Sequence, residues 1–170
     1  MATTLEEFLD QHGSSLLSLA VSLAGSQAAG QDLLQESLIR VYPKWGQIAS
    51  GAHLAYTRRT LVRQSVSLWR ARRWREVAVE YPPERPTGGE WEEQVHAGSE
   101  LRAALRALPA KQRAAVVLRY VHDFSVEEAA ELMAIPTGTL KSLCSRGLAG
   151  LRANQDLAGF ESAPRQEGDL

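Results

Sequence analysis

The sequence predicts an all-α protein with two small helical domains joined by a flexible linker. Apolar residues recur at helical spacing along most of the chain. Aromatic residues make up only 6% of it, while Ala, Leu and Arg are abundant, which favours helix over strand. Prolines and glycines cluster in residues 77–98, between two helical stretches. We therefore expect domains at residues 1–76 and 99–153, a linker at 77–98 and a disordered tail at 154–170.

Three helices are predicted in the first domain, from about Thr4 to Leu23, from about Ala28 to Trp45 and from about His53 to Arg75. A Gly-containing loop at residues 46–51 separates the last two. In the second domain, one helix ends near Pro109, where the next begins. The apolar sides of the first three helices supply the candidate core residues, which are Leu5, Phe8, Leu9, Leu16, Leu19, Val21, Leu23, Leu33, Leu34, Leu38, Val41, Tyr42, Leu54, Leu61, Val62, Val66 and Trp69.

Residues 124–148 form the most informative motif. Ser125 and Glu128 have the spacing of a capping box that begins a short helix with an acidic first turn. Pro136 ends that helix and suits the start of a second one, from about Thr137 to Leu151. This is a helix-turn-helix pattern, whose second helix typically enters the major groove of DNA. Its outward polar residues are the candidate contacts to phosphates and base edges: Thr137, Thr139, Lys141, Ser142, Ser145 and Arg146.

On the other side of this second helix, Leu140, Leu143 or Cys144, and Leu148 are predicted to face inward. Taken alone, the motif is also compatible with an ordinary helical hairpin that has a solvated polar face.

The net charge of −1 is an average over opposed blocks. The third predicted helix contains arginines with no acidic residue among them, namely Arg58, Arg59, Arg63, Arg70, Arg72, Arg73 and Arg75. Tyr56, Trp69 and Trp74 lie among these arginines, and cations beside aromatic rings suit unstacked single-stranded bases. A solvated basic helix is the alternative, although guanidinium groups favour phosphate contacts.

Composition argues against several other functions. The only cysteine, Cys144, excludes an internal disulfide and a cysteine-based zinc site. The four histidines lack ligand spacing, and no Gly-rich phosphate loop or nucleophile–base pair is present, so we expect no metal, no cofactor and no enzymatic activity. No signal peptide or long apolar run is visible, which predicts a cytoplasmic protein without membrane insertion.

Four segments, in this order, resemble regions 2.2, 2.3 to 2.4, 4.1 and 4.2 of bacterial RNA polymerase sigma factors of the extracytoplasmic function (ECF) group in the sigma-70 family. The resemblance extends over nearly the whole chain, from about Leu5 to Arg152. The segments that carry it are Asp32–Glu36 with Val41–Trp45, Ala55–Arg59 with Trp69–Glu76, Leu105–Arg113 with Leu118–Tyr120, and Ile135–Ser142. The chain departs from the family pattern at Ala134, where the turn commonly has Gly, and at Gly147, where Ala is common.

The resemblance implies a role for each region. Asp32, Gln35 and Glu36 would face the β′ clamp helices of core RNA polymerase. The second domain would sit on the β flap and read the −35 element of promoter DNA. Recognition and melting of the −10 element would fall to the loop before the third helix and to that helix itself, through Gln47, Ser50, His53, Tyr56, Arg58, Arg59, Arg63, Arg70 and Trp74.

Members of this family are often held inactive by an anti-sigma factor that clamps both domains, which makes such a protein a candidate partner. Two other functions stay open at this point. One is an independent helix-turn-helix regulator that binds duplex DNA as a dimer. The other is a helical interaction module whose basic helix binds acidic partners.

Overall fold

The computed structural model describes the backbone of residues 3–76 and 92–153 and the side chains of residues 3–68 and 100–153. Within these ranges the chain is helical and contains no β-strand, so the all-α prediction is confirmed. The α-helices are α1 Leu5–Ala24, α2 Gln27–Val41, α3 His53–Glu76, α4 Glu92–Ala107, α5 Ala110–Val116, α6 Val126–Met133 and α7 Thr137–Ala153. A 3₁₀ turn at Tyr42–Gln47 follows α2, and a π-helical turn at Val117–Val121 follows α5.

The predicted tail at 154–170 and residues 77–91 of the predicted linker lie outside the described residues. Helix α4 begins at Glu92, inside the segment 77–98 that the proline and glycine content assigns to the linker. No proline or glycine occurs from Glu90 to His96, and the acidic Glu92 and Glu93 suit the positive end of a helix dipole.

Helices α1 and α2 form a tight antiparallel pair with well-defined ends. Thr4 and Glu7 form a capping box at the start of α1, and Gly25, with φ of 88°, ends it in the left-handed conformation. The Ser26 hydroxyl then accepts a hydrogen bond from Ala29 N at 3.2 Å and begins α2. The two helices approach most closely at Gly30, where an added Cβ would lie 2.6 Å from the Cα of Val21.

Helix α2 is shorter than predicted, and the expected burial of Tyr42 is wrong. The buried stripe of α2 consists of Leu33, Ser37 and Val41, at intervals of one helical turn. Tyr42 follows this stripe by one position, and its side chain is 63% exposed. Pro43 cannot donate a backbone hydrogen bond, so the α-helix does not continue and the chain turns through the 3₁₀ segment.

The second half of the chain packs around α7. Leu140, Leu143 and Cys144 are buried, which confirms the predicted inner side of this helix. The contact with α5 is very close at Gly147, because an added Cβ would lie 2.6 Å from Cγ2 of Val116. Alanine, which is common at this position in the family, would not fit here without a shift of α5 or α7.

The two halves are in contact in this structure. Helix α3 packs against α1 and α2 of the first half and against α5 and α6 of the second half. A continuous cluster of buried apolar residues runs through both halves, from Leu19 of α1 and Leu61 of α3 to Leu118 and Leu140. Helix α3 is therefore the element through which the first three helices meet the helix-turn-helix.

The contact at Gly30 yields a stability prediction. We expect Gly30→Ala to lower the free energy of unfolding by about 1–3 kcal/mol, because the new methyl group meets backbone atoms of Val21 that cannot rotate away. The matched control is Gly13→Ala within α1, where nothing lies within 4 Å of the new Cβ. This control should raise the free energy of unfolding by up to about 1 kcal/mol through helix propensity alone. Urea unfolding followed by circular dichroism measures both changes, and equal stabilisation of the two variants would contradict the close approach.

Candidate nucleic-acid interface

The outward face of α7 carries the residues predicted to contact duplex DNA. All six are exposed: Thr137, Thr139, Lys141, Ser142, Ser145 and Arg146. Ser142 and Arg146 lie opposite the buried Leu140 and Cys144, because the helical period separates the two pairs. The face combines hydroxyl groups, one ammonium and one guanidinium, which donate readily to phosphates and to purine edges.

The turn before α7 sets the angle at which this face is presented. Ala134 has φ of 54° and ψ of 48°, which is left-handed backbone. A non-glycine residue in this conformation costs about 1–2 kcal/mol, which accounts for the family's common glycine at the position. Hydrogen bonds hold the turn, from Ala134 N to Glu131 O at 3.1 Å and from Ile135 N to Ala130 O at 3.0 Å.

The other end of α6 has the predicted capping box. The Ser125 hydroxyl accepts a hydrogen bond from Glu128 N at 3.1 Å, and Ser125 N donates to Oε2 of Glu128 at 2.8 Å. The hydrogen bonds from Ser125 lower the pKa of the Glu128 carboxyl, since they favour its charged form. This helix supports α7 from behind, through the buried residues Ala129, Ala130 and Leu132.

The basic side of α3 borders α6. Arg63 is exposed, whereas Arg58, Arg59 and Tyr56 are partly buried. The Arg58 guanidinium lies over the ring of Phe124, 5.2 Å from its centroid. Burial lowers the pKa of Arg58, and the nearby Glu128 carboxylate partly opposes that change.

The neighbouring Arg59 forms an ion pair with α6, in which its Nη2 lies 3.0 Å from Oε1 of Glu131. Arg70 and Trp74 belong to α3, but their side chains lie outside the described residues.

Gln47, the last residue of the 3₁₀ turn, and Ser50, in the loop between that turn and α3, are both exposed. His53 differs, since it is only 9% exposed and its Nε2 lies 3.2 Å from the carbonyl oxygen of Trp45. Its ring also packs against the Trp45 ring, with centroids 4.3 Å apart. His53 is therefore placed to anchor the base of the loop.

Trp45 links this anchor to α1. Its ring packs edge-on against Phe8 at a centroid distance of 5.0 Å, and its Nε1 donates to the carbonyl oxygen of Thr3 at 2.9 Å. Sequence reasoning did not assign Phe8 or Trp45 to the site. The sequence does place Trp45 beside this Gly-containing loop and Phe8 in the predicted core.

The acidic face of α2 is exposed at all three predicted positions, Asp32, Gln35 and Glu36. Ile39 belongs to the same face, since residues 32, 35, 36 and 39 follow the i, i+3, i+4, i+7 spacing, and its side chain is 65% exposed. The exposed Tyr42 comes three residues after Ile39 in the chain. Large apolar side chains beside acidic groups are typical of a protein-binding surface. The spacing alone identifies Ile39, although sequence reasoning passed over it.

Within the described ranges, no group of three or more His, Cys, Asp or Glu residues could hold a metal ion. No helix in this part of the chain has both the length and the apolar character needed to cross a membrane.

Comparison with known proteins relates these surfaces to a family. The model of sigma-70 region 2 matches residues 8–75, and the model of sigma-70 region 4 matches residues 99–151. The RNA polymerase sigma-E factor of Streptomyces coelicolor is 38% identical over 148 residues, which cover 86% of this chain and 83% of that protein. The ECF RNA polymerase sigma factor SigE of Mycolicibacterium smegmatis is 31% identical over 153 residues, covering 86% of this chain and 60% of that protein.

Among solved structures, the sigma factor RpoE of Bartonella quintana, crystallised in complex with the anti-sigma factor NepR, has a TM-score of 0.66 at 27% identity. The similarity covers 90% of this chain and 97% of that one.

The capping box yields a prediction with a pH dependence. Ser125→Ala should lower the free energy of unfolding by about 1 kcal/mol through loss of the cap. Because the pKa of Glu128 is lowered in the folded chain, its stabilising effect is present above its ordinary value of 4.5 and is lost as the pH falls through the lowered pKa. Thermal unfolding of Glu128→Gln should therefore depend less on pH below that value than unfolding of the unaltered chain. The exposed Glu127→Gln is the control, and an identical pH profile for the two variants would refute the assignment.

Proposed function

Because the chain belongs to the extracytoplasmic function (ECF) group of the sigma-70 family of RNA polymerase sigma factors, we propose that it binds core RNA polymerase and directs initiation at specific promoters. One observation carries the proposal: the chain has two separate polar and basic surfaces, on α7 and on α3, within segments that match regions 4 and 2. Sigma factors are initiation factors and not catalysts, so we assign no catalytic residue.

The helix-turn-helix reads the −35 element in this proposal. Helix α7 enters the major groove with its N-terminal residues nearest the bases. Thr139, Lys141 and Ser142 lie in its first turns and are exposed, which supports base-edge or phosphate contacts. Arg146 lies one turn further on and contributes a guanidinium to the backbone or to a guanine.

The first half of the chain captures and melts the −10 element. Gln47 ends the 3₁₀ turn and Ser50 lies in the loop that follows, and the contact of His53 with Trp45 holds the base of this loop, which supports a preformed pocket for a flipped base. Flipping a base costs a few kcal/mol in unstacking and unpairing. Binding of the strand by Arg58, Arg59 and Arg63 offsets this cost, with further contacts from Tyr56, Arg70 and Trp74.

The exposed face of α2 docks on the β′ clamp helices of the polymerase. Asp32, Gln35 and Glu36 supply hydrogen bonds and charge, and the exposed Ile39 and Tyr42 supply apolar contact area at its edge. The second half of the chain contacts the β flap. An anti-sigma factor is a further proposed partner, supported by the anti-sigma complex of the Bartonella relative. The chain would therefore act in the cytoplasm, where core RNA polymerase transcribes.

A run-off transcription assay with purified core polymerase and a library of promoter templates tests the function. We expect the chain to produce transcripts from a subset of templates and to bind promoters poorly in the absence of polymerase. An independent dimeric regulator would instead bind a palindrome tightly and initiate on no template. A dimeric regulator of this kind would have no function for the exposed face of α2.

The division of labour between the two DNA-binding surfaces yields a further prediction. Arg58→Ala with Arg59→Ala should impair strand separation in the polymerase complex more than it impairs duplex binding. Lys141→Ala should show the opposite pattern and should reduce the salt dependence of duplex binding by about one counterion. Permanganate footprinting reports melting, and filter binding reports affinity. Unchanged permanganate reactivity in the double variant would rule out the assigned role of the two arginines.

A further inference from the structure

We propose that Trp45 is a positioning residue for recognition of the −10 element. It fixes the loop at residues 48–52 against the start of α1, and the position of this loop determines which flipped base the chain accepts. Thr3 and Phe8, which lie outside the loop, take part in base selection through Trp45. The inference rests on the proposed capture of the −10 strand by this loop, and it extends the −10 reader to residues that contact no base themselves.

The tip of the loop is a tight turn that depends on its base for orientation. Ala52 N donates to the carbonyl oxygen of Ala49 at 2.9 Å, and Gly51 has φ of 82°, as the third residue of a type II turn requires. Ala49, Ser50 and Gly51 are exposed, and nothing lies within 4 Å of a Cβ added at Gly51. The turn therefore has a defined shape, but residues at the base of the loop set its orientation relative to α3.

The base of the loop is closed by contacts between the residues on either side of it. Trp45 precedes the loop and His53 begins α3, and the centroids of their rings are 4.3 Å apart. Nε2 of His53 lies 3.2 Å from the carbonyl oxygen of Trp45, and because a carbonyl only accepts, Nε2 is the donor. The same carbonyl oxygen accepts a hydrogen bond from Ile48 N at 3.3 Å. Both ends of the loop are therefore tied to Trp45.

Trp45 also ties the loop to α1. Its Nε1 donates to the carbonyl oxygen of Thr3 at 2.9 Å, and its ring packs edge-on against Phe8 at a centroid distance of 5.0 Å. Phe8 is only 2% exposed, and the capping box of Thr4 and Glu7 fixes the first turn of α1. A buried ring and a capped helix end thus give Trp45 a fixed support.

These contacts make Trp45 a support for the loop and not a stacking platform for a base. Its ring packs against Phe8 and His53, its Nε1 is hydrogen-bonded within the chain, and its side chain is partly buried. A binding site keeps its selectivity only while its groups are held to within about 0.5 Å and about 10–20° of the productive geometry. A change at Trp45 or Phe8 therefore tilts the loop without removing a side chain that contacts the strand. We expect an altered choice among bases and not a general loss of DNA binding.

The test measures base preference in the complex of the full chain with core polymerase. Promoters randomised at the −10 element are transcribed, and a barcode in each transcribed region identifies its template. Trp45→Phe keeps a ring but loses the donor to Thr3. We expect it to lower the ratio of transcripts from the preferred base to those from the next-best base about three- to fivefold, the equivalent of one hydrogen bond. Phe8→Leu should lower the same ratio about twofold through loss of the ring pair.

Gly30→Ala is the matched control for a purely structural effect. It disturbs the same half of the chain at the contact with Val21, and it leaves the contacts of Trp45 in place. We expect this variant to be less stable but to keep the −10 base preference of the unaltered chain. Circular dichroism shows which variants are folded. Trp45→Phe and Phe8→Leu are independent arms, so either one tests the proposal if the other does not fold.

An unchanged −10 ratio in the folded Trp45→Phe and Phe8→Leu variants would overturn the proposal, since Trp45 would then only stabilise the fold. An equal shift of the ratio in Gly30→Ala would overturn it too, because general loosening of the helices would account for the change. Both of these outcomes are read while the unaltered chain initiates transcription, so they leave the proposed function intact. Absence of transcripts from the unaltered chain on every template refutes the function itself and this inference with it.

Discussion

The packing of α3 is the constraint on which the other surfaces depend. Its buried side includes Thr57, Leu61, Gln64 and Ser65, which follow the helical period. Ser65 satisfies its hydroxyl within the helix, by donating to the carbonyl oxygen of Val62 at 2.7 Å. Because this side is pinned by contacts with helices from both halves, the arginines are fixed on the remaining surface. A rotation of α3 by one residue would bury a guanidinium and expose the core.

Local periodicity and capping chemistry account for what the sequence could predict. The bounds of α1 and α3, the capping box at Ser125 and the inner side of α7 all depend on residues within a few positions of one another. The exposed face of α7 follows from the same period, because its buried residues define the opposite side. The ECF resemblance, read from four short segments, is confirmed by relatives at 31–38% identity.

Interactions between residues far apart in the chain account for the features that the sequence could not predict. The contact of Arg59 with Glu131 joins residues 72 positions apart, and no local pattern distinguishes it from an ordinary solvated charge. In the sequence, His53 is a polar residue at the start of a predicted helix. In the structure, the Trp45 ring packs against its ring. The sequence predicts that Tyr42 belongs to the core, but the change from α-helix to 3₁₀ turn beside Pro43 leaves its side chain exposed. Each of these outcomes depends on how a second helix or turn is oriented against the residue.

The close approach of α5 and α7 at Gly147 has a consequence for the divergence of such chains. Val116 occupies the space that a Cβ at residue 147 would need, so the two positions cannot change independently. A lineage that carries alanine at the equivalent of 147 must also carry a smaller side chain at the equivalent of 116 or set its recognition helix farther from α5. If α7 reads duplex DNA as proposed, a displaced α7 would present its exposed residues at a different depth in the groove. Under the proposed role of α7, the DNA sequence that the chain prefers would then respond to substitution of Val116, which is buried behind that helix.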